Sequence, residues 1–230
     1  SSTFINNGNY LEECGDIYIT ASDVMHITNN TFINSSSNFG SIHKVYNSNL
    51  FILENCFFDN CSGCLRYEGE INSNASLIIR NCTFQNSSRF GENEYTTLYL
   101  GGTAKAPIVE HCVFLNCGHE RIEYIASIYI ILTDDIQYSD SFYFIDNEII
   151  FDDFNESCGS LFLYLSNQFA ACINNCSFTN SSRNEDSSSN PNCICVYVIK
   201  SLEITNCHFF GGTITEYDYL YNHYYLSKQH

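Results

Sequence analysis

Positive charge is scarce in this chain: nine Lys and Arg stand against 26 Asp and Glu, giving a formal net charge of −17, and the few basic residues never cluster. A nucleic-acid backbone or an anionic lipid surface is repelled by such a chain, so no nucleic-acid partner is expected. An acidic face can still attract a cation or a basic partner, but it equally keeps an aromatic-rich protein soluble. The helix formers Ala, Met, Gln and Lys are thin as well, while Phe, Tyr, Ile, Asn and Ser abound. That composition suits strands and turns. No apolar run reaches the length of a membrane-crossing helix, and direct membrane insertion by this segment is not expected. Residues 1–9 carry no Met, basic patch or apolar core of a signal peptide. Because the chain opens inside a repeat, it is expected to be a piece of something longer. Nucleophile–base arrangements, phosphate loops and dinucleotide fingerprints are also missing.

Cysteine, by contrast, is abundant. There are 13 in 230 residues, and the odd number leaves at least one unpaired within the chain. In an exported protein some would be disulfides; in reducing surroundings the same thiols serve as small buried apolar groups.

A repeat organises these residues. Its clearest copies are Asn55-Cys56-Phe57-Phe58, Asn81-Cys82-Thr83-Phe84, His111-Cys112-Val113-Phe114, Asn175-Cys176-Ser177-Phe178 and Asn206-Cys207-His208-Phe209. Degenerate copies put Ser2, Asn30 and Glu148 at the Cys position and Phe4, Phe32 and Ile150 at the Phe position. Read this way, the Cys-equivalent positions are 2, 30, 56, 82, 112, 148, 176 and 207, with periods between 26 and 36 residues. Variable insertion of this kind is tolerated by a solenoid. Each period also holds a second apolar alternation, as at Ile17-Tyr18-Ile19, Leu98-Tyr99-Leu100 and Ile128-Tyr129-Ile130, with Leu65-Arg66-Tyr67 a weaker member. A third segment precedes the motif, as at Leu50 to Leu53, Ala75 to Ile79 and Leu202 to Ile204. Three short strands per period predict an all-β fold, a right-handed parallel β-helix (solenoid) of about eight coils of 26–36 residues. Residues 1–230 then form a single β-helix domain, with the Tyr-rich stretch 215–230 as a terminal coil or cap.

Cys and Phe two residues apart point to the same side of a strand, here inward. Cys56, Cys82, Cys112, Cys176 and Cys207 are expected to form one inner column, and Phe4, Phe32, Phe58, Phe84, Phe114, Phe178 and Phe209 another. The Asn before each Cys, and the Asn two residues after most Phe, are read as bends in the left-handed backbone region rather than ligand contacts. Cys14, Cys61, Cys64, Cys117 and Cys158 occupy a different part of the repeat, as a second partial column or as disulfides across a corner. The pairing of Cys172, Cys176, Cys193 and Cys195 stays open.

The one cluster of metal-ligand character is His111, Cys112, Cys117 and His119, but alternation along a strand disperses it. Acidic pairs at Glu12-Glu13, Asp134-Asp135 and Asp152-Asp153 are read as solvated loops, because adjacent residues on a strand face opposite ways and no pair by itself forms a dyad; Asp134 or Asp135 beside Asp152 or Asp153 on a neighbouring coil, for catalysis or a bound cation, is the alternative. No catalytic, cofactor-binding or metal-binding set is therefore assigned. Nine Asn-x-Ser/Thr sites occur, at Asn29, Asn34, Asn60, Asn74, Asn81, Asn86, Asn155, Asn175 and Asn180, and are open to glycosylation if the chain is exported. Tyr217, Tyr219, Tyr221, Tyr224 and Tyr225 would shield the open end of the stack or stack on a carbohydrate or protein partner.

The copies Asn81-Cys82-Thr83-Phe84-Gln85-Asn86 and Phe209-Phe210-Gly211-Gly212-Thr213-Ile214 resemble the short repeats of the polymorphic outer-membrane protein group and of related large surface proteins of some parasitic protists. That resemblance implies a β-helical passenger domain linked to adhesion. The Gly-Gly-Ala-Ile element of the bacterial group is present only as Gly211-Gly212-Thr213-Ile214, and Phe-x-x-Asn is often shortened to Phe-x-Asn. The catalytic segments of pectin-degrading β-helices find no counterpart. The leading expectation is a non-catalytic structural or adhesion module of a surface or extracellular protein. A carbohydrate-binding or polysaccharide-degrading β-helix is the first alternative, and an intracellular, cytoplasmic filament or scaffold the second. The partners expected are a carbohydrate or a host or neighbouring surface protein, with end-to-end assembly of the stack as a further arrangement.

Overall fold

The computed structural model describes residues 1–6, 15–20, 23–35, 40–45, 49–69, 76–87, 97–102, 105–117, 128–132, 141–151, 161–165, 169–180, 192–197, 200–210 and 213–217. Every assigned strand among them is part of a parallel β-helix with three sheets. The first sheet carries the Cys-x-Phe motif and stacks Thr3–Ile5, Thr31–Ile33, Phe57–Asp59, Thr83–Gln85, Val113–Leu115, Glu148–Phe151, Ser177–Asn180 and His208–Phe210 in that order. The second sheet runs through eight strands from Ile17–Ile19 to Thr213–Tyr217, and the third through seven from Val24–Thr28 to Ser201–Thr205. Successive strands of a sheet are about one repeat apart in the sequence, as expected when each turn of chain visits all three sheets once. Eight strands at the usual parallel spacing make a stack on the order of 40 Å long.

Asparagine makes the bends. Asn29, Asn55, Asn81, Asn175 and Asn206, each just before the Cys position, have φ between 52 and 56°. Asn6, Asn34, Asn60, Asn86 and Asn116, two residues after each Phe, have φ between 48 and 54°. Left-handed backbone costs an ordinary L-residue about 1–2 kcal/mol, and Asn tolerates it through local hydrogen bonding. His111 (φ 52°) and Asp146 (φ 54°) take the same conformation where coils five and six lack the Asn. The bends also tie the coils together. Asn34 Nδ2 donates to Asn6 Oδ1 at 2.9 Å, and Asn60 Nδ2 to Asn34 Oδ1 at 2.8 Å. The turn reading of these residues therefore holds.

The interior is the Phe stack. Ring centroids are 4.9 Å apart for Phe4 and Phe32, 4.6 Å for Phe32 and Phe58, 5.0 Å for Phe58 and Phe84, and 4.8 Å for Phe84 and Phe114, all within 13° of parallel. Phe178 and Phe209 resume it at 5.1 Å. Each buried ring contributes about 1.5–3 kcal/mol by area alone, with about 0.5–1.5 kcal/mol more from ring–ring geometry.

Coil six corrects the sequence reading. The residue in register with Phe114 and Phe178 is Ile149, not Ile150, and the Cys position falls on Asn147, not Glu148. The separations around it are then 35 residues from Cys112 and 29 to Cys176. Glu148 is exposed on the outer side, while Asn147 is 2% and Ile149 0% exposed. The sequence reading preferred Glu148 because it sets Ile150 two residues later. The structure instead aligns the left-handed residue Asp146 with His111 and Asn175, and that bend fixes the register.

Candidate functional site

Two places in the coil concentrate chemistry-bearing side chains: the inner thiols, and the outer face of the second sheet.

The five motif cysteines form the inner column expected of them. Each thiol lies within hydrogen-bond reach of the carbonyl two residues before it, at 3.2–3.4 Å, and of a carbonyl in the preceding coil, at 3.4–3.9 Å. Asn147 replaces a thiol by doing the same work with an amide: its Nδ2 donates to Val109 O, and its Oδ1 accepts from Cys112 N–H, both at 2.9 Å. Asn30 repeats half of this arrangement, accepting Ser2 N–H at 2.8 Å. The hydrogen bond to Cys82, followed by burial, pushes the Cys56 thiol far above its ordinary range, and the bond to Cys112 does the same for Cys82. In the last pair the balance tips outward. Cys176 is pushed up by its bond to Cys207, and the half-buried Cys207 is lowered by the same bond.

A second inner column runs three residues beyond the Phe position: Ser35, Cys61, Ser87 and Cys117, all buried. Cys64 sits across the corner from Cys61, and burial is the leading cause that raises both Cys64 and Cys117, the latter to about 12. The two-column expectation for the cysteines thus holds for Cys61 and Cys117; Cys14 and Cys158 lie outside the described residues. Cys172 is half-buried, one residue out of phase with the buried Ala171 and Ile173, whereas Cys176 is buried. Cys193 and Cys195 belong to strand Asn192–Tyr197.

On the outer face of the second sheet, one register column reads Tyr18, His43, Arg66, Tyr99 and Tyr129, with Phe162 next in backbone register. The Arg66 guanidinium sits 4.8 Å from the Tyr99 ring centroid, and the Tyr99 and Tyr129 rings stack at 5.9 Å. Tyr18 meets His43 edge-on at 5.3 Å. Glu68, in the adjacent column, pairs with Arg66 and lies 3.8 Å from His43 Nε2. Gly101 makes room for the Tyr99 ring, since a Cβ there would lie 2.6 Å from Tyr99 Cε1. Tyr164, beside this column, is 41% exposed. The sequence reading treated the Leu65-Arg66-Tyr67 segment as the weak copy and missed this column. The signal was available in the central residue of every midway segment.

The chain is a repeat scaffold. Comparison with protein-family models, curated proteins and solved structures finds no match, so the likeness to polymorphic outer-membrane repeats stands as a likeness of repeats.

His111 is exposed on its bend, with Nδ1 3.5 Å from Asp146 Oδ2, while Cys112 beside it points into the core. Alternation separates the two, and among the described residues no three metal-capable side chains converge. His119, the pairs Glu12-Glu13, Asp134-Asp135 and Asp152-Asp153, Gly211-Gly212, and all of the tyrosine tail beyond Tyr217 lie outside the described residues. Tyr217 ends strand Thr213–Tyr217, which pairs with Asn192–Tyr197. Asn29, Asn34, Asn60, Asn81, Asn86 and Asn175 are exposed. The amide nitrogens of Asn34, Asn60 and Asn86 already donate to the coil before them. On the third sheet, Arg80 and then His26 hold the Glu54 carboxyl below its ordinary value. No helix among the described residues is long and apolar enough to cross a membrane.

Proposed function

We propose that the chain is a non-catalytic structural module of an extracellular surface protein, a stiff spacer whose second-sheet face makes adhesive contacts. The observation that carries this reading is how the polar and aromatic side chains are used. The same asparagine, thiol and phenylalanine positions bind coil to coil through most of the stack, so conserving the rod accounts for them. Against that uniform background, the Arg66, Tyr99 and Tyr129 column is an aromatic–cation surface of the kind enriched in protein contact sites.

The test is adhesion itself. Beads coated with the chain, and with an Arg66→Ser/Tyr99→Ser/Tyr129→Ser variant, are compared for capture by cells. Retained circular dichroism with capture lost supports the reading, and equal capture by both proteins removes the adhesive face from it. Capture competed by one soluble polysaccharide and by no protein would favour the carbohydrate-binding alternative. Expression behind a secretory leader tests the compartment, through a glycosidase-sensitive mass at the exposed Asn-x-Ser/Thr sites.

A second reading, an intracellular scaffold, draws support from the nine cysteines whose side chains are described, all of which stand as free thiols. Secretion without glycans, with every thiol alkylatable, would favour it.

A further inference from the structure

The corner between the first and second sheets whose residues are all described lies in the third coil. The chain passes from strand Phe57–Asp59 to strand Leu65–Glu68 through a corner that holds Cys61, Ser62, Gly63 and Cys64. Both cysteines are buried, at 1% and 0% exposure, three residues apart in this one corner. The backbone around them is held by the coils on either side. Ser62 N–H donates to Ser35 O at 2.9 Å, Cys64 N–H to Thr97 O at 2.9 Å, and Ser41 N–H to Gly63 O at 3.0 Å. Gly63, at φ 147°, takes a conformation open to glycine and disfavoured for other residues. The neighbouring coils carry hydroxyls at these positions, Ser35 with Ser41 on one side and Ser87 with Thr97 on the other. Among these three coils, only the third carries a cysteine at both positions.

We propose that Cys61 and Cys64 are an oxidisable pair that closes to a disulfide inside this corner when the chain meets a small-molecule disulfide, while Cys56, Cys82 and Cys112 remain thiols. The contrast comes from geometry. A disulfide needs Cβ atoms about 3.5–4.5 Å apart, whereas in-register neighbours on parallel strands are held at the strand spacing of about 4.7–4.9 Å. Two residues of one tight corner are under no such constraint. The chemistry is two exchange steps. One protein thiolate attacks a sulfur of the small disulfide, whose S–S bond breaks and releases a thiolate that takes up a proton. The second protein thiolate then attacks the protein-side sulfur of the mixed disulfide and expels the other half. Two protein thiols lose two electrons and two protons, and one small disulfide becomes two thiols. Burial of both sulfurs confines the exchange to folding or to local opening of the corner. The proposal does not depend on where the protein resides.

The test equilibrates the reduced chain with glutathione redox buffers of stepped poise, alkylates it in denaturant and maps the cysteines by mass. The expected result is one peptide in which Cys61 and Cys64 are unalkylated and two hydrogens lighter, with Cys56, Cys82 and Cys112 fully alkylated. Cys61→Ser and Cys64→Ser place at each position the residue found there in neighbouring coils, so both variants should fold, and each should leave its remaining corner cysteine fully alkylated. Full alkylation of Cys61 and Cys64 at the most oxidising poise would overturn the proposal, as would a disulfide mapped to the inner column.

Discussion

Coils two to five and coil six solve the same packing problem with different residues. In the regular coils a phenylalanine from the first sheet, such as Phe84, stacks on its neighbours, and the third sheet supplies an aliphatic residue such as Ile79 or Val109. In coil six the two are exchanged: Ile149 occupies the ring column, and Phe144 stands in register with Val109 and Ile173. Phe144 then approaches Phe178 at 6.4 Å, partly closing the gap in the stack. The swap conserves volume across the coil, which packed cores tolerate far better than a net gain or loss. Beside it, Asn147 keeps the hydrogen bonds of the thiol column without a thiol. At this pair of positions the combined volume is kept, and beside it a few main-chain groups stay satisfied, while the motif residues change.

Substitutions at five positions probe that contrast, in falling order of effect. Phe84→Ala, which opens the regular stack between two rings, should cost about 3–5 kcal/mol and lower Tm by on the order of 10 °C, read by thermal unfolding. Ile149→Phe should not repair the column. It overpacks coil six and costs about 1–3 kcal/mol, and adding Phe144→Ile should recover most of that loss. A double-mutant cycle by urea unfolding measures the coupling, and simple additivity would show that the two sites do not share one volume. Asn147→Ala, which strands Cys112 N–H and Val109 C=O, should cost about 1–3 kcal/mol. Asn147→Cys should cost clearly less, because a thiol meets both groups elsewhere in the column. His111→Asn should raise stability by a few tenths of a kcal/mol, since Asn suits the left-handed bend better.

The motif residues were legible because they report on backbone and packing at once. Asn at the bends has a conformational reason, Cys and Phe at spacing two share a side, and their recurrence sets the rungs. Coil six was misread by one residue because its volume swap erases both marker residues, and Glu148 with Ile150 imitates their spacing. Only the bend at Asp146, aligned with its neighbours through hydrogen bonds, resolves the ambiguity. The outer column at Arg66, Tyr99 and Tyr129 was hidden for another reason. Its residues stand at the centre of successive midway segments, but an outward side chain carries no core-packing constraint, so no recurring residue type marks it. The thiol corner was half visible in the Cys61–Cys64 spacing, while the hydroxyl partners Ser41, Ser87 and Thr97 carry no motif.

The most direct test of the inner stack is proton–proton contact between rings in solution. With the phenylalanines isotope-labelled and Phe58, Phe84 and Phe114 assigned by single Phe→Leu substitutions, nuclear Overhauser effects should link Phe84 to both Phe58 and Phe114 and leave those two unlinked. Strong Phe58–Phe114 effects, or none from Phe84 to either ring, would contradict the coil order on which the whole account rests.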